Sequence, residues 1–336
     1  MTEATGRLGL EVAIERWPLS SPFHITGHVF THSDIVVAKV SDGAFTGRGE
    51  AAGVYYHGDT PAGLAAALEA VRPEVEAGIT REALQRLLPP GGARNALDCA
   101  LWDLEAQRTG RPAWEIAGLD RPRPLLTTCT VSAGEPDAMA RSALAYVGAR
   151  AIKLKLLGDG RDALRVSAVR AATPEVFLAV DANQGFTRQT LDALWPTLLD
   201  CKVALVEQPF PIGSEALLDG MDRPIPIAAD ESAQTLADVD GLAGRFDVVN
   251  IKLDKSGGLT EGLLMAHRAK TLGLQVMVGN MTGTSLAMAP GFVLGQLCDV
   301  VDLDGPLFLS QDRRPGVAYA DGRITIPEAF WGGVEV

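Results

Sequence analysis

The chain has 336 residues, 47% hydrophobic and 21% charged, which excludes disordered, collagen-like and coiled-coil architectures. Its length is enough for about two domains. Acidic side chains outnumber basic ones 42 to 30, giving a formal net charge of −12 with no Lys/Arg-rich run, so nucleic acid and anionic membrane surfaces are not expected partners.

In chain order, the polar residues 1–5 lack a basic-then-apolar signal-peptide pattern. Residues 8–14 alternate as a strand, 34–40 form a second, and Ser41-Asp42-Gly43 turns into a third over 44–52. Loops are expected over 18–33, carrying Phe23, His24, His28, Phe30 and His32, and over 53–61, carrying Tyr55, Tyr56 and His57. A helix over 94–108 sets Leu97, Leu101 and Leu104 on one face. Pro122-Arg123-Pro124 then marks a linker near 118–124. Beyond it, short apolar runs recur at 126–131, 151–156, 176–181, 204–207, 225–230, 247–253, 275–279 and 300–303, each followed by a helical stretch. Eight such units predict a parallel (β/α)₈-type barrel, a modified TIM barrel in the α/β class. The rival, a doubly wound sheet, lacks its G-x-G-x-x-G after the first strand. The expected organisation is an α+β capping domain over 1–118, the barrel over 119–310, and a segment over 311–336 that carries a hairpin (317–319 and 324–326) outside the barrel and returns to the capping domain. The apolar residues 285–301 are interrupted by Pro290, Gly291 and Gly295 and include Asp299, against a membrane span. Four scattered cysteines with no C-x-x-C pair suit the cytoplasm.

Six of the eight runs end in ionisable residues: Lys153-Leu154-Lys155, Asp181-Ala182-Asn183, Glu207-Gln208, Asp230-Glu231, Lys252-Leu253-Asp254-Lys255 and Asp302-Leu303-Asp304. Barrel active sites lie at the C-terminal strand ends. One such Asp reads equally well as a helix cap. Three carboxylates, Asp181, Glu207 and Asp230, at successive strand ends would repel one another without a cation, and an all-oxygen donor set suits Mg²⁺. Lys155 and Lys252 fall on strands two and six of eight, opposite each other across the pocket. That placement suits removal of a proton from one face of a carbon and delivery to the other, with Lys153 or the metal lowering the amine pKa.

The motifs Lys-x-Lys (153–155), Asp-Ala-Asn (181–183), Val-Glu-Gln-Pro (206–209), Ala-Asp-Glu-Ser (229–232) and Asn-Ile-Lys-Leu-Asp-Lys-x-Gly-Gly (250–258) resemble the enolase superfamily, in its muconate-lactonizing-enzyme subgroup. Residues 94–104, 249–262 and Asp302-Leu303-Asp304-Gly305-Pro306 are similar to dipeptide epimerases of the L-Ala-D/L-Glu type. The resemblance implies one Mg²⁺ on Asp181, Glu207 and Asp230, and acid/base work by Lys155 and Lys252. It places Lys153 beside the substrate carboxylate and makes Asp302 and Asp304 an Asp-x-Asp for the α-ammonium of a dipeptide. Asn183, Thr128 and Thr130 are expected contacts to substrate or metal ligands, and Asp254 and Lys255 are expected to be structural. The family arginine that meets a glutamate side chain falls at Phe30, and no Lys or Arg occurs between Trp17 and Val37, so a neutral or hydrophobic second residue is expected. The alternatives that keep this fold and site are an N-acylamino-acid racemase, an o-succinylbenzoate synthase, a cycloisomerase and a dehydratase, whose substrates lack the free ammonium. A Schiff-base aldolase would not need three metal carboxylates, and a binding protein would not need both lysines. The expected partner is a small-molecule dipeptide, with homo-oligomerisation left open.

Overall fold

A computed structural model describes residues 7–25, 27–327 and 329–333; residues 1–5, with their signal-peptide argument, lie outside these. Three antiparallel strands come first, β1 (Gly9–Ile25), β2 (His28–Ser41) and β3 (Thr46–Ala51), in that spatial order. The loop expected over 18–33 is instead the outer half of the β1–β2 hairpin, with Phe23 opposite Phe30 and Ile25 opposite His28. Pro18 and Pro22 are tolerated there because β1 is an edge strand: Pro18 is the last residue paired before the register shift, opposite His32, and Pro22 lies within the shift, which ends at Phe23. The helix Gly92–Thr109 lies against this sheet. At Gly47 and Gly49 of β3 a Cβ would overlap the Ala100 and Ala96 carbonyl oxygens, so glycine is what allows helix and strand to touch.

The expected strand over 126–131 is two elements. β4 (Leu125–Leu126) pairs with the C-terminal hairpin, while β5 (Cys129–Val131) opens the barrel. Between them Thr127 N–H donates to Gly322 O and Thr128 N–H to Val301 O, so adjacent residues serve different sheets. The barrel continues through β6 (Ala151–Lys155), β7 (Phe177–Asp181), β8 (Val203–Glu207), β9 (Ile227–Ala229), β10 (Val248–Lys252), β11 (Gln275–Gly279) and β12 (Val300–Val301). All eight are parallel and neighbour one another in chain order. The Thr128–Val301 bond, 3.0 Å, brings β12 back to the start of β5. Helices Pro136–Ala145, Asp162–Ala172, Arg188–Asp200, Leu259–Thr271 and Ser285–Gly295 cover the outside. The connections after β8 and β9 hold only single turns, Glu215–Leu218 and Val239–Leu242, where the sequence pattern suggested full helices.

Inside the barrel, Ala179, Leu205, Ala228, Val248 and Met277 pack into one buried layer. The charged strand ends stand above it. The tail hairpin β13 (Ala318–Ala320) and β14 (Arg323–Thr325) pairs with β4, and Trp331 Nε1 and Gly332 N–H reach Arg48 O and Asp103 Oδ1 of the capping unit. Among the described residues, no helix is long and apolar enough to cross a membrane.

Candidate active site

Strand register builds the site. Lys155 pairs with Asp181 and Asp181 with Glu207, which sets three ionisable side chains in one row. Glu207 pairs with Ala228, and the two-residue period of a strand turns Asp230 to the same face. The ligand oxygens of Asp181, Glu207 and Asp230 lie within 4.8 Å of one another, and all three residues are essentially without solvent exposure. Burial and the Asp181 charge push the Glu207 carboxyl up to about 8. Such crowding is the electrostatic signature of a cation site, and three buried carboxylates with neither Cys nor His among them fit Mg²⁺.

Two lysines flank the triad. Lys155 Nζ donates to Asp181 Oδ2 at 2.6 Å, and Lys252 Nζ to Asp230 Oδ2 at 2.7 Å. They end strands two and six of eight and line the same pocket. Burial disfavours the Lys252 ammonium, but Asp230 and Glu207 outweigh it and hold the amine well above its ordinary value. Lys153 pushes Lys252 down, yet more weakly than those two carboxylates pull it up. Lys153 is itself enclosed, 2.5 Å from Asp302 Oδ2, 3.2 Å from Glu207 Oε2 and 3.6 Å from Asp181 Oδ2.

The remaining expected residues form a second cluster. Asp302 accepts from Lys153 and from the Thr128 hydroxyl, with Thr130 Oγ1 at 3.5 Å. Asp304 accepts the Thr130 N–H at 2.6 Å. Despite burial, Lys153 holds Asp302 below the usual carboxylate range, whereas burial and the Asp302 charge push Asp304 up to about 6. Lys153 joins this cluster to the triad; its members are not among the residues lining the pocket, whereas Asn183 and Phe30 are.

The capping unit supplies the pocket's roof. Phe30 packs edge-on against Tyr55 at 5.4 Å, Tyr55 against Tyr56 at 5.1 Å, and Phe23 also lines the pocket, with Met281 joining from the barrel loop after β11. At the rim, Asp34 is bound by Arg16 at 2.6 and 2.8 Å and by His32 at 3.3 Å; His28, exposed, packs on Tyr55. No arginine is among the lining residues. Two buried carboxylates anchor this roof to the barrel. Asp254 accepts the Ala52 and Gly53 N–H groups, both at 2.9 Å, and Glu50 accepts from Thr284 N–H at 2.7 Å and Arg313 Nη2 at 3.0 Å.

Asn250 was given no role from the sequence, and Lys255 was expected only to be structural. Lys255 Nζ donates to Asp230 Oδ1 at 2.6 Å and to Asn250 O at 3.1 Å, and Asn250 Nδ2 donates to Glu207 Oε1 at 2.9 Å. Both therefore hold metal ligands. The available signal was their place in the Asn-Ile-Lys-Leu-Asp-Lys motif, with Asn250 two residues before Lys252 on the same strand and Lys255 in the turn that follows.

Residues 7–118 match the family model Mandelate racemase / muconate lactonizing enzyme, N-terminal domain, and residues 137–336 match Enolase C-terminal domain-like. The L-Ala-D/L-Glu epimerase of Escherichia coli (strain K12) is 39% identical over 94% of this chain and 98% of its own. A hydrophobic dipeptide epimerase of Roseobacter litoralis is 34% identical over 91% and 92%. An enolase family member from Agrobacterium tumefaciens with homology to dipeptide epimerases, solved with sodium and L-Ala-L-Glu, superimposes with a TM-score of 0.92 at 41% identity, covering 94% of this chain and 97% of that one. Barrel, capping unit and strand-end carboxylates together define an enzyme scaffold, and the chain belongs to the enolase superfamily, in the branch of mandelate racemase and muconate lactonizing enzyme.

Proposed function

We propose that this Mg²⁺-dependent dipeptide epimerase inverts the α-carbon of the C-terminal residue by 1,1-proton transfer, and that it prefers a neutral, hydrophobic residue there. The observation that carries the reading is the pair Lys155 and Lys252, on opposed strands beside three clustered carboxylates and under an aromatic roof. Mg²⁺ on Asp181, Glu207 and Asp230 would supply Lewis-acid stabilisation of the charge that develops on the substrate carboxylate.

The chain's own groups do the rest. One lysine, neutral on arrival, takes the α-proton into its Nζ lone pair, and the other, an ammonium, gives a proton to the opposite face. The reverse direction exchanges their roles. Lys153, an ammonium beside the triad, steadies the substrate carboxylate. Asp302 and Asp304 are the acceptors for the α-ammonium, a role an N-acylated substrate would not use. Thr128 and Thr130 hold that pair in place. Phe30, Tyr55 and Tyr56 exclude water around the second side chain. Burying an apolar group there gains about 1.5–3 kcal/mol, whereas a carboxylate would be desolvated without a partner. Its acidic charge and free thiols suit the cytoplasm.

The test is a dipeptide library incubated in D₂O with Mg²⁺ and read by mass gain, followed by kcat/KM for Ala-Leu and Ala-Phe against Ala-Glu. The neutral dipeptides are expected to win. A clear win for Ala-Glu would overturn the side-chain assignment and turn attention to Arg16 and His32. N-acetyl amino acids outperforming free dipeptides would favour the racemase alternative.

A further inference from the structure

Glu231 follows the metal ligand Asp230 and is 2% exposed. Its Oε1 takes only a long bond, 3.4 Å, from Asn183 Nδ2. Its Oε2 is buried with no hydrogen-bond partner, and so is Asn183 Oδ1. Both residues line the pocket beside Lys155, Asp230 and Lys252. Leaving a buried acceptor unmatched is costly, so two such acceptors side by side imply a ligand that brings donors. Asn183 is also held at φ 42°, in the left-handed region, a conformation Asn tolerates better than most residues and one that collects at functional positions.

The donor has a physical description. Glu231 does not belong to the cluster whose ligand atoms all fall within 4.8 Å of one another, so it is not a fourth member of the inner set. Its charge still counts. Buried carboxyl groups (the triad, Glu231 and the Asp302/Asp304 pair) outnumber the buried lysines Lys153, Lys155, Lys252 and Lys255, an imbalance that favours a bound cation. Mg²⁺ sheds its waters reluctantly.

We propose that Glu231, oriented by Asn183, is an outer-sphere positioning residue for the cation: Glu231 Oε2 and Asn183 Oδ1 accept hydrogen bonds from water that the cation carries, and so set its affinity and position. This rests on the reading of Asp181, Glu207 and Asp230 as the Mg²⁺ site. Partners of this kind change metal affinity by about 10–100-fold when removed.

The experiment is calorimetric titration of Mg²⁺ alone into EDTA-stripped, full-length wild type, Glu231→Gln, Asn183→Ala, their double variant and Asp230→Asn, with Tm recorded for each metal-free form. The expected result is one Mg²⁺ per wild-type chain, affinity weakened about tenfold or more in Glu231→Gln and by less in Asn183→Ala, and a double variant short of the sum. Metal-free Tm values close to wild type would separate this from a folding defect, and if Glu231→Gln does not fold, Asn183→Ala carries the test. Both single variants binding Mg²⁺ within twofold of wild type, while Asp230→Asn has lost it, would overturn the proposal. Unchanged Mg²⁺ affinity with a lowered kcat/KM would also overturn it, by showing that the donors belong to the substrate. A wild type that takes up no Mg²⁺ would instead bring down the metal-site reading underneath.

Discussion

Lys155 and Lys252 each rest on a different member of the carboxylate triad, Asp181 and Asp230, so each amine is steered by the group that would hold the cation. With one base per face, Lys155→Ala and Lys252→Ala should each lower epimerisation by about 10²–10⁴-fold, the usual worth of a general acid or base. Each variant should still exchange the α-proton of one stereoisomer with D₂O through the surviving lysine. Near wild-type epimerisation in either variant would refute the two-face arrangement. At the roof, Phe30 stands where relatives of the Ala-Glu type are expected to carry an arginine, and it packs on Tyr55. Phe30→Arg should move the kcat/KM ratio toward Ala-Glu, because a buried charge left without its partner costs roughly 2–5 kcal/mol. An unchanged ratio would mean that the second side chain does not reach Phe30.

The helix Gly92–Thr109 grips the turn that follows Lys252. Arg94 donates to Ser256 O at 2.6 Å and Gly257 O at 3.2 Å, and pairs with Glu261. Asp98 accepts from Thr260 N–H at 3.0 Å and Oγ1 at 2.6 Å. Gly257 and Gly258 have φ of 78° and 117°, and a Cβ on either would strike Arg94 or Asp98, so the turn is left-handed and in close contact with the helix. Burial pushes the Asp98 carboxyl up to about 6, with Thr260 opposing. Because the native value exceeds the unfolded one, the folded chain binds more protons between about pH 4 and 6, and this group's contribution to stability falls as pH rises through that window. The loss is about 2–3 kcal/mol. Urea unfolding of wild type and Asp98→Asn across pH 4–7 should show wild-type stability dropping relative to the variant by about that amount; a pH-independent difference would contradict it. On the roof side, Asp254→Ala releases the Ala52 and Gly53 amides and should raise KM most for dipeptides with bulky second residues, while Asp254→Asn, which keeps an acceptor, should restore much of it. Equal effects on small and bulky substrates would count against a roof-positioning role.

Across the whole molecule the site is an electrostatic unit closed by a cation, so stripping with EDTA should abolish activity and Mg²⁺ or Mn²⁺ should restore it. A ligand that binds only the folded state adds about 2.7 kcal/mol at one hundred times its Kd, which should appear as a Tm rise on Mg²⁺ titration. Full activity of the metal-free protein would refute the central reading. Much of this architecture was legible in the chain. The run 177–181 is apolar until its last residue, and 151–155 and 248–252 set Lys153 and Asn250 two residues before a terminal lysine; a charge at the end of a buried parallel strand has few places to go but the C-terminal mouth of a barrel. The eightfold repeat then set Lys155 opposite Lys252 by counting alone. The hairpin over 18–33 was hidden because Pro18 and Pro22 read locally as breakers, and only its edge position in the sheet makes them harmless. The division of 125–131 between two sheets was likewise invisible, since Leu125, Leu126, Cys129 and Val131 share one apolar character whichever partner they meet. Residue types and their period thus determined the barrel, the triad and the lysines, because those follow from local pattern. Which oxygens of Glu231 and Asn183 are left unmatched, which carboxylate each lysine meets, and how Asp254 and Glu50 seat the roof were decided only by tertiary packing, because they depend on distances between residues far apart in the chain.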